Sequence, residues 1–267
     1  MSTKSKGTAL VTGASAGIGL ELARCFAQGN WDIILLARRG DKLKEVAAEL
    51  EERHGVAAHV LVEDLSDAGS IERIVQVLEE RQVAVDVLVN NAGFAEYGPF
   101  AQSDAQTMQQ VLGVNIVALT LLSRALLPSM IEAARRDGRR RRILNVGSTA
   151  GFLPGPLMAV YYASKAYVLS LSESMANELD GQNISVTCLC PGPTTSEFQS
   201  VAKMDFSGLS KSVLSDAPTV AREGYKACLR GQVLVIPGVS NKIGTFAPRV
   251  LPRQLTAKIV RRIQERK

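Results

Sequence analysis

Short, almost uninterrupted apolar runs alternate with longer stretches of helical periodicity along the whole chain. "TALVT" (8–12), "DIILLA" (32–37), "AAHVLVE" (57–63), "VDVLVN" (85–90), "RILNVG" (142–147), "ISVTCLC" (184–190) and "QVLVIP" (232–237) read as strands. Their Val, Ile and Leu density predicts burial on both faces, as in the interior of a parallel sheet. Amphipathic segments lie between them, such as "DKLKEVAAELEERHG", which should stop at Gly55, and "DAGSIERIVQVLEER". Two longer helices are expected near 104–135 and 159–180. Right-handed β–α repeats of this kind predict an α/β fold: a doubly wound, Rossmann-type parallel sheet of seven strands with helices on both faces. In such sheets ligands bind beyond the carboxyl ends of the strands, so function should lie in the loops that follow them.

The last thirty residues have a different character. Leu255, Ile259 and Ile263 recur every four residues, with Lys and Arg on the other faces. This predicts a basic amphipathic helix that packs on the same domain or a partner subunit, caps the cleft, or touches an anionic membrane surface. The division expected is a single catalytic domain over 1–237 and a helical extension over 238–267.

Composition changes this picture little. The chain has 267 residues, 46% hydrophobic and 21% charged, enough for one well-buried domain. The net charge of +5 is misleading until located: seven cations against Glu265 give residues 249–267 a balance of +6, leaving the rest at −1. A neutral body argues against a nucleic-acid partner. The arginine-rich stretch 134–142 precedes a strand, away from the expected cleft, and reads as solvated surface. No apolar run has the length of a membrane span, and "MSTKSKG" is not a signal sequence, so a cytoplasmic protein is expected. Four scattered cysteines fit reduced core thiols, and no ligand set for a metal is present.

Candidate chemistry begins after the first strand, where "TGASAGIG" (12–19) opens a helix. Gly13 permits a tight turn, Gly17 lets backbone approach a pyrophosphate, and Gly19 allows close helix packing. After the second strand, "ARRGDKL" carries no acid to accept a ribose 2′-hydroxyl, while Arg38 and Arg39 offer two guanidiniums to a 2′-phosphate. This favours NADP(H) over NAD(H); the bland alternative is two solvated arginines. Asp64 and "NNAG" (90–93) could reach a cofactor or simply complete turns. Within "AVYYASKAY" (159–167), Tyr161 and Tyr162 both lie on the helix side of Lys165, so geometry alone leaves two candidates for an acid–base group.

Taken in order, Thr12 to Gly19, Asp64-Leu65, Asn90 to Gly93, Asn115, Ser148, Tyr161 to Lys165 and Pro191-Gly192 resemble the motif series of the short-chain dehydrogenase/reductase family. The resemblance covers roughly residues 7–237, and the extended end and "GFAEYGPF" (93–100) are similar to a branch with bacterial oxidoreductases and microsomal 3-ketoacyl-thioester reductases. It selects Tyr161, four residues before Lys165 and thirteen after Ser148, as the proton donor. It implies that Ser148 binds the substrate carbonyl, that Lys165 favours the tyrosinate and holds the nicotinamide ribose, and that Asn115 anchors a water chain. A tyrosine with an ordinary value near 10 would need roughly 4 kcal/mol to reach neutrality. The implied cofactor contacts are Gly13, Ser15, Gly17, Ile18, Gly19, Arg38, Arg39, Asp64, Leu65, Asn91, Ala92, Gly93, Tyr161, Lys165, Pro191, Gly192, Thr194 and Ser196. Ser196 stands where the family often has Thr. Phe94, Tyr97, Phe100 and Phe198 are expected to wall an apolar substrate pocket, with 199–217 as a lid.

The expected activity is NADPH-dependent reduction of a ketone, such as a 3-oxoacyl or other apolar carbonyl compound. The alternatives are an NAD(P)-linked alcohol or hydroxysteroid dehydrogenase running toward oxidation and a catalytically idle NADP-binding sensor. The resemblance also implies a homodimer or homotetramer built on the two long helices.

Overall fold

The computed structural model describes residues 5–195 and 214–265. Along the first half run β1 (Thr8–Thr12), α1 (Gly17–Gln28), β2 (Asp32–Ala37), α2 (Gly40–His54), β3 (Ala58–Val62), α3 (Ser70–Glu80) and β4 (Val87–Asn90). There follow α4 (Ala105–Leu112), a π turn (Gly113–Ala118), α5 (Leu119–Asp137), β5 (Arg141–Val146), α6 (Ala159–Glu178) and β6 (Ile184–Leu189). Two-residue strands β7 (Thr194–Thr195) and β8 (Ser215–Asp216) pair with each other. The chain ends with α7 (Ala217–Arg230), β9 (Leu234–Val235), α8 (Val239–Phe246) and α9 (Arg253–Glu265).

Seven strands form one parallel sheet in the order β3-β2-β1-β4-β5-β6-β9, as the pattern of apolar runs predicted. The strand order reverses between β1 and β4, which opens a crevice at their carboxyl ends. Alternation along β1 accounts for the unbroken apolar runs. Ala9 and Val11 enter a layer with Leu22, Phe26, Leu43 and Val220 of α1, α2 and α7, whereas Leu10 enters the opposite layer with Ile74, Leu122 and Met130 of α3 and α5. The helix α2 ends as expected at Gly55, whose φ of 65° satisfies the left-handed cap.

Two expectations change and a third is narrowed. The segment Ala105–Asp137 is continuous and, by length and composition alone, long and apolar enough to cross a membrane. It serves here as a core helix, with Leu119, Leu122, Leu126 and Met130 buried against the sheet. The arginine run is only partly solvated surface. Arg141 is buried, its Nε 3.0 Å from Asp86 Oδ1 and its Nη2 2.7 Å from Asp137 Oδ2. Arg142 lies over the Trp31 ring at 5.9 Å. Asp86 also accepts from Thr8 N at 2.8 Å, so this cluster ties α5 and β5 to the start of β1. Finally, the stripe Leu255, Ile259 and Ile263 of α9 faces outward, and Thr256, Val260 and Gln264 face the body.

Removing one partner of a buried ion pair strands the other in low dielectric. The substitution Arg141→Ala is therefore expected to cost about 3 kcal/mol of stability, read as a lowered denaturant midpoint. An unchanged midpoint would contradict a structural role for the Asp86–Arg141–Asp137 cluster.

Candidate active site

The loops following β1, β2, β3, β4, β5 and β6 line one cleft of about 470 Å³. Thr12, at the end of β1, organises its floor. Its Oγ1 donates to Val89 O at 3.2 Å and accepts from the backbone N–H groups of Asn91 and Ala92, both at 2.9 Å. The Asn91 amide in turn donates to Thr12 O at 2.9 Å and Gly13 O at 3.3 Å. The two loops flanking the switch point are thus locked to each other. A side chain at Gly19 would meet Asn91 Nδ2 at 2.3 Å and Gly13 O at 2.4 Å, so only glycine fits. Gly13 and Gly17 take φ of 66° and 56°.

These features fit a dinucleotide. No side chain caps the amino end of α1, where Ala16 leads into Gly17, leaving backbone donors and positive dipole character for a pyrophosphate. Ser15, Ile18, Arg38, Arg39, Asp64, Leu65, Ala92, Pro191, Gly192 and Thr194 line the same cleft. Arg39 donates to Ser15 Oγ at 3.2 and 3.0 Å, which draws the β2 loop over the glycine-rich turn. Arg38 is exposed and 3.5 Å from Asp64, whose carboxylate is also held by Ser66 at 2.8 Å.

Behind the cleft, a buried amide chain fixes β4 and β5. Asn90 Nδ2 donates to Ser123 Oγ and Asn145 Oδ1, and Asn145 Nδ2 donates to Ser172 Oγ, each at 2.9 Å. Asn115 sits in the π turn, where an extra residue per turn re-aims a side chain. It is buried, accepts from Phe94 N at 3.1 Å, and donates to Phe94 O and Ser164 Oγ at 3.0 Å.

Ser148, Tyr161 and Lys165 converge on the open side. Ser148 Oγ accepts from Ala150 N at 3.1 Å and shares a hydrogen bond with Tyr161. Lys165, buried on α6, donates to Val146 O at 2.8 Å, and its ammonium lies 5.7 Å from the Tyr161 ring centre. Gly93 is required beside this group, since a Cβ there would come 2.9 Å from Asn115 Oδ1.

The electrostatics depart from expectation. Burial pushes the Tyr161 phenol up to about 12, against the downward pull of Ser148. Burial also brings the Lys165 amine down to about 8. The resting phenol is therefore not lowered toward neutrality: the ammonium is turned to a carbonyl, and loss of water dominates. Both shifts favour the uncharged forms of the two groups.

The apolar wall also differs in part. Phe94 lines the cleft with Leu153, Met158 and Tyr162, but Tyr97 does not; its hydroxyl donates to Gln264 O at 2.8 Å and holds α9. Phe100 is 64% exposed and walls nothing. Ser196 and Phe198 lie outside the described residues, as does most of 199–217. Sequence reasoning missed Gln264, which lines the cleft from α9.

Residues 7–205 match the family model for short chain dehydrogenase. The chain belongs to the short-chain dehydrogenase family. Among relatives, it is 37% identical over 190 residues to sulfoacetaldehyde reductase 2 of Chromohalobacter salexigens, 71% of this chain and 73% of that protein. It is 32% identical over 203 residues to the very-long-chain 3-oxoacyl-CoA reductase of Anas platyrhynchos, 74% of this chain and 63% of that one. A short-chain dehydrogenase from Sphingobium yanoikuyae in complex with NADPH superposes with a TM-score of 0.81 at 30% identity, covering 91% and 93% of the two chains. A 3-ketoacyl-(acyl-carrier-protein) reductase from Brucella melitensis complexed with NADH gives 0.78 at 26% identity, covering 88% and 98%. The protein is thus an NAD(P)(H)-binding short-chain dehydrogenase, an oxidoreductase of carbonyl and alcohol substrates.

The shifts at the site set a pH dependence. Lys165 carries its charge below about pH 8 and loses it above, while Tyr161 stays protonated to about pH 12. For this dehydrogenase, kcat/KM for carbonyl reduction is expected to be level below pH 8 and to fall about tenfold per unit above it. A profile level to pH 10 would mean that the lysine charge is not required.

Proposed function

We propose that this protein reduces a ketone with NADPH, with Tyr161 as the general acid. The supporting geometry is a buried phenol, raised by burial and hydrogen-bonded to Ser148, in the wall of a cleft that also contains the glycine-rich turn. A bound nicotinamide supplies the hydride. Ser148 donates a hydrogen bond to the substrate carbonyl, and the Tyr161 phenol hands its proton to the same oxygen as charge develops there. Lys165 keeps a positive charge behind the phenol and binds ribose hydroxyls, with Asn115 anchoring the water that restores the proton. Phe94, Leu153 and Met158 favour an apolar carbonyl compound. The relatives act on a sulfonated aldehyde and on acyl thioesters by their names, which supports the reductive direction and leaves the carbonyl class broad.

NADPH preference rests on Arg38 and Arg39 beside a β2 end without a carboxylate. Charge-assisted hydrogen bonds to a phosphate are worth about 1.5–3 kcal/mol each.

We further propose a homodimer across the outer face of α4–α5 and α6. Val117 and Leu121 are half exposed there, and Tyr167 bonds Thr120 at 3.0 Å, a face able to pair with its own copy. A cytoplasmic enzyme of this kind also presents the outward stripe of α9, flanked by Arg253, Lys258 and Arg262, to anionic bilayers. One such helix binds weakly, and pairing two in a dimer raises the avidity.

Tyr161→Phe is expected to lower kcat for ketone reduction by 10² or more while NADPH binding, measured by fluorescence, is kept; undiminished turnover would overturn the acid assignment. In the same assay NADPH should outperform NADH by tenfold or more, and Arg38→Ala with Arg39→Ala should remove the difference. Equal rates in the parent protein would refute the phosphate reading. Light scattering should give twice the chain mass, and cosedimentation with phosphatidylserine vesicles should vanish in Leu255→Ser, Ile259→Ser, Ile263→Ser. A monomer, or a triple variant that still sediments, would remove the respective proposal.

A further inference from the structure

The two helices that end the chain each have a largely polar inner face and an apolar outer one. In α8 the buried residues are Asn241 and Thr245. The Asn241 amide donates to Pro237 O at 2.7 Å and fills the space beside Gly192, where any side chain would collide with it. The same helix packs on the turn Thr149–Phe152 that follows Ser148. In α9 the buried residues are Thr256, Val260 and Gln264, the last tied to Tyr97 and Tyr162 by hydrogen bonds of 2.8 Å. The inner faces thus rest on loops that line the cleft or adjoin it, which fixes both helices relative to it.

The outer faces carry two apolar stripes. Val239, Ile243 and Phe246 recur at i, i+4 and i+7 along α8, and Leu255, Ile259 and Ile263 at i, i+4 and i+8 along α9, with Val250 and Leu251 in the link between them. All eight are exposed, from 36% at Leu251 to 73% at Val239. They make up eight of the fifteen large apolar side chains exposed among the described residues, so this is a patch and not the usual scatter. Its border is cationic. Lys242, Arg249, Arg253, Lys258, Arg261 and Arg262 are all exposed, and the one acid of 238–265, Glu265, is paired with Arg261 at 2.6 Å. Pairing this patch symmetrically with a second copy would crowd these cations together across the contact. An anionic lipid surface instead offers hydrocarbon to the stripes and negative headgroups to the border.

We propose that α8 and α9 form one platform that docks on an anionic phospholipid bilayer and presents the cleft to ketones dissolved in it. This rests on the carbonyl reductase reading of the cleft, and it extends the bilayer contact of α9 to a second stripe, so that a single protomer has two anchors. Because the inner faces lie on the loops of Gly192 and Ser148 and on Tyr97 and Tyr162, docking orients the cleft relative to the lipid. The apolar walls Phe94, Leu153 and Met158 suit a substrate that partitions into hydrocarbon.

The test uses the full chain, NADPH, and vesicles of phosphatidylcholine with or without phosphatidylserine. The parent protein should float with the mixed vesicles and not with phosphatidylcholine alone. The triple variant Val239→Ser, Ile243→Ser, Phe246→Ser, which leaves the α9 stripe and the buried contacts in place, should bind the mixed vesicles about tenfold more weakly or worse. Lys242→Glu with Arg249→Glu should weaken binding by about tenfold as well. A long-chain ketone dissolved in mixed vesicles should be reduced about tenfold faster than the same amount in phosphatidylcholine vesicles, with a short water-soluble ketone unaffected. The triple variant should lose this gain and keep the short-ketone rate and the thermal midpoint. Flotation that survives the triple substitution, equal flotation without phosphatidylserine, or no gain with the long-chain ketone would overturn the proposal. So would a fall in mass of the triple variant by light scattering without lipid, since that makes a second copy the occupant. Failure to reduce the short ketone would instead count against the reductase reading, while flotation still decides whether the platform binds lipid.

Discussion

The site is built around one cation kept out of water. Lys165 lies 6% exposed on α6 with its ammonium on a single strand carbonyl, that of Val146. Burying an amine without an opposite charge is costly, and the fall of its value to about 8 expresses that cost. The neighbours are arranged to tolerate it. Gly93 leaves space beside Nζ, Gly151 lets the loop after β5 press on the Lys165 backbone, and the π turn carries Asn115 to the rear of the pocket. The hydrogen-bonded asparagines and serines behind β4 and β5 then keep both strand ends in register. Loosening any of these would admit water or let the lysine swing out, so the precision of the loops follows from the demand of one buried charge.

Much of this was legible because it depends on local spacing. The strands were readable since residues such as Leu10 and Val11 enter opposite apolar layers, leaving no polar gap in the run. Their ends were less so: the last strand spans only Leu234–Val235, because it pairs with no more than Cys188 and Leu189 of β6. The motif glycines were readable because a steric requirement admits one residue type, as at Gly19 against Gly13 O. Arg141 was not. A run of four arginines looks solvated, and only the return of Asp86 and Asp137 to the same corner of the sheet makes one of them internal.

The docking of α9 has a different origin. Periodicity locates the most apolar face of a helix, and that face is Leu255, Ile259 and Ile263. The docking surface, however, presents the phenols of Tyr97 and Tyr162, so the helix meets it with the adjacent face, through the Gln264 carbonyl and amide. Where an intramolecular docking surface is polar, hydrophobic patterning does not mark the side of the helix that meets it, which here lies one residue out of register. Within "GFAEYGPF", Phe94 lines the cleft as expected, whereas Tyr97 serves through its hydroxyl, which gives a tyrosine a choice of partner that its ring alone does not reveal.

In the proposed mechanism, Tyr161 and Lys165 divide the electrostatic task in time. At rest the phenol is neutral, so the ammonium 5.7 Å from its ring centre gains little from it. In the proposed mechanism, loss of the phenol proton would set an anion opposite this ammonium, an attraction absent from the resting pair. On that proposal the lysine would act on the state formed by proton transfer. Burial, which raises the phenol, keeps the acid loaded beforehand. An exposed tyrosine would need no such partner, yet it would share its proton with water. A buried one without the lysine would hold its proton too tightly to release it. On the proposed mechanism, the pairing of a buried phenol with a buried amine on one face of α6 would meet both conditions.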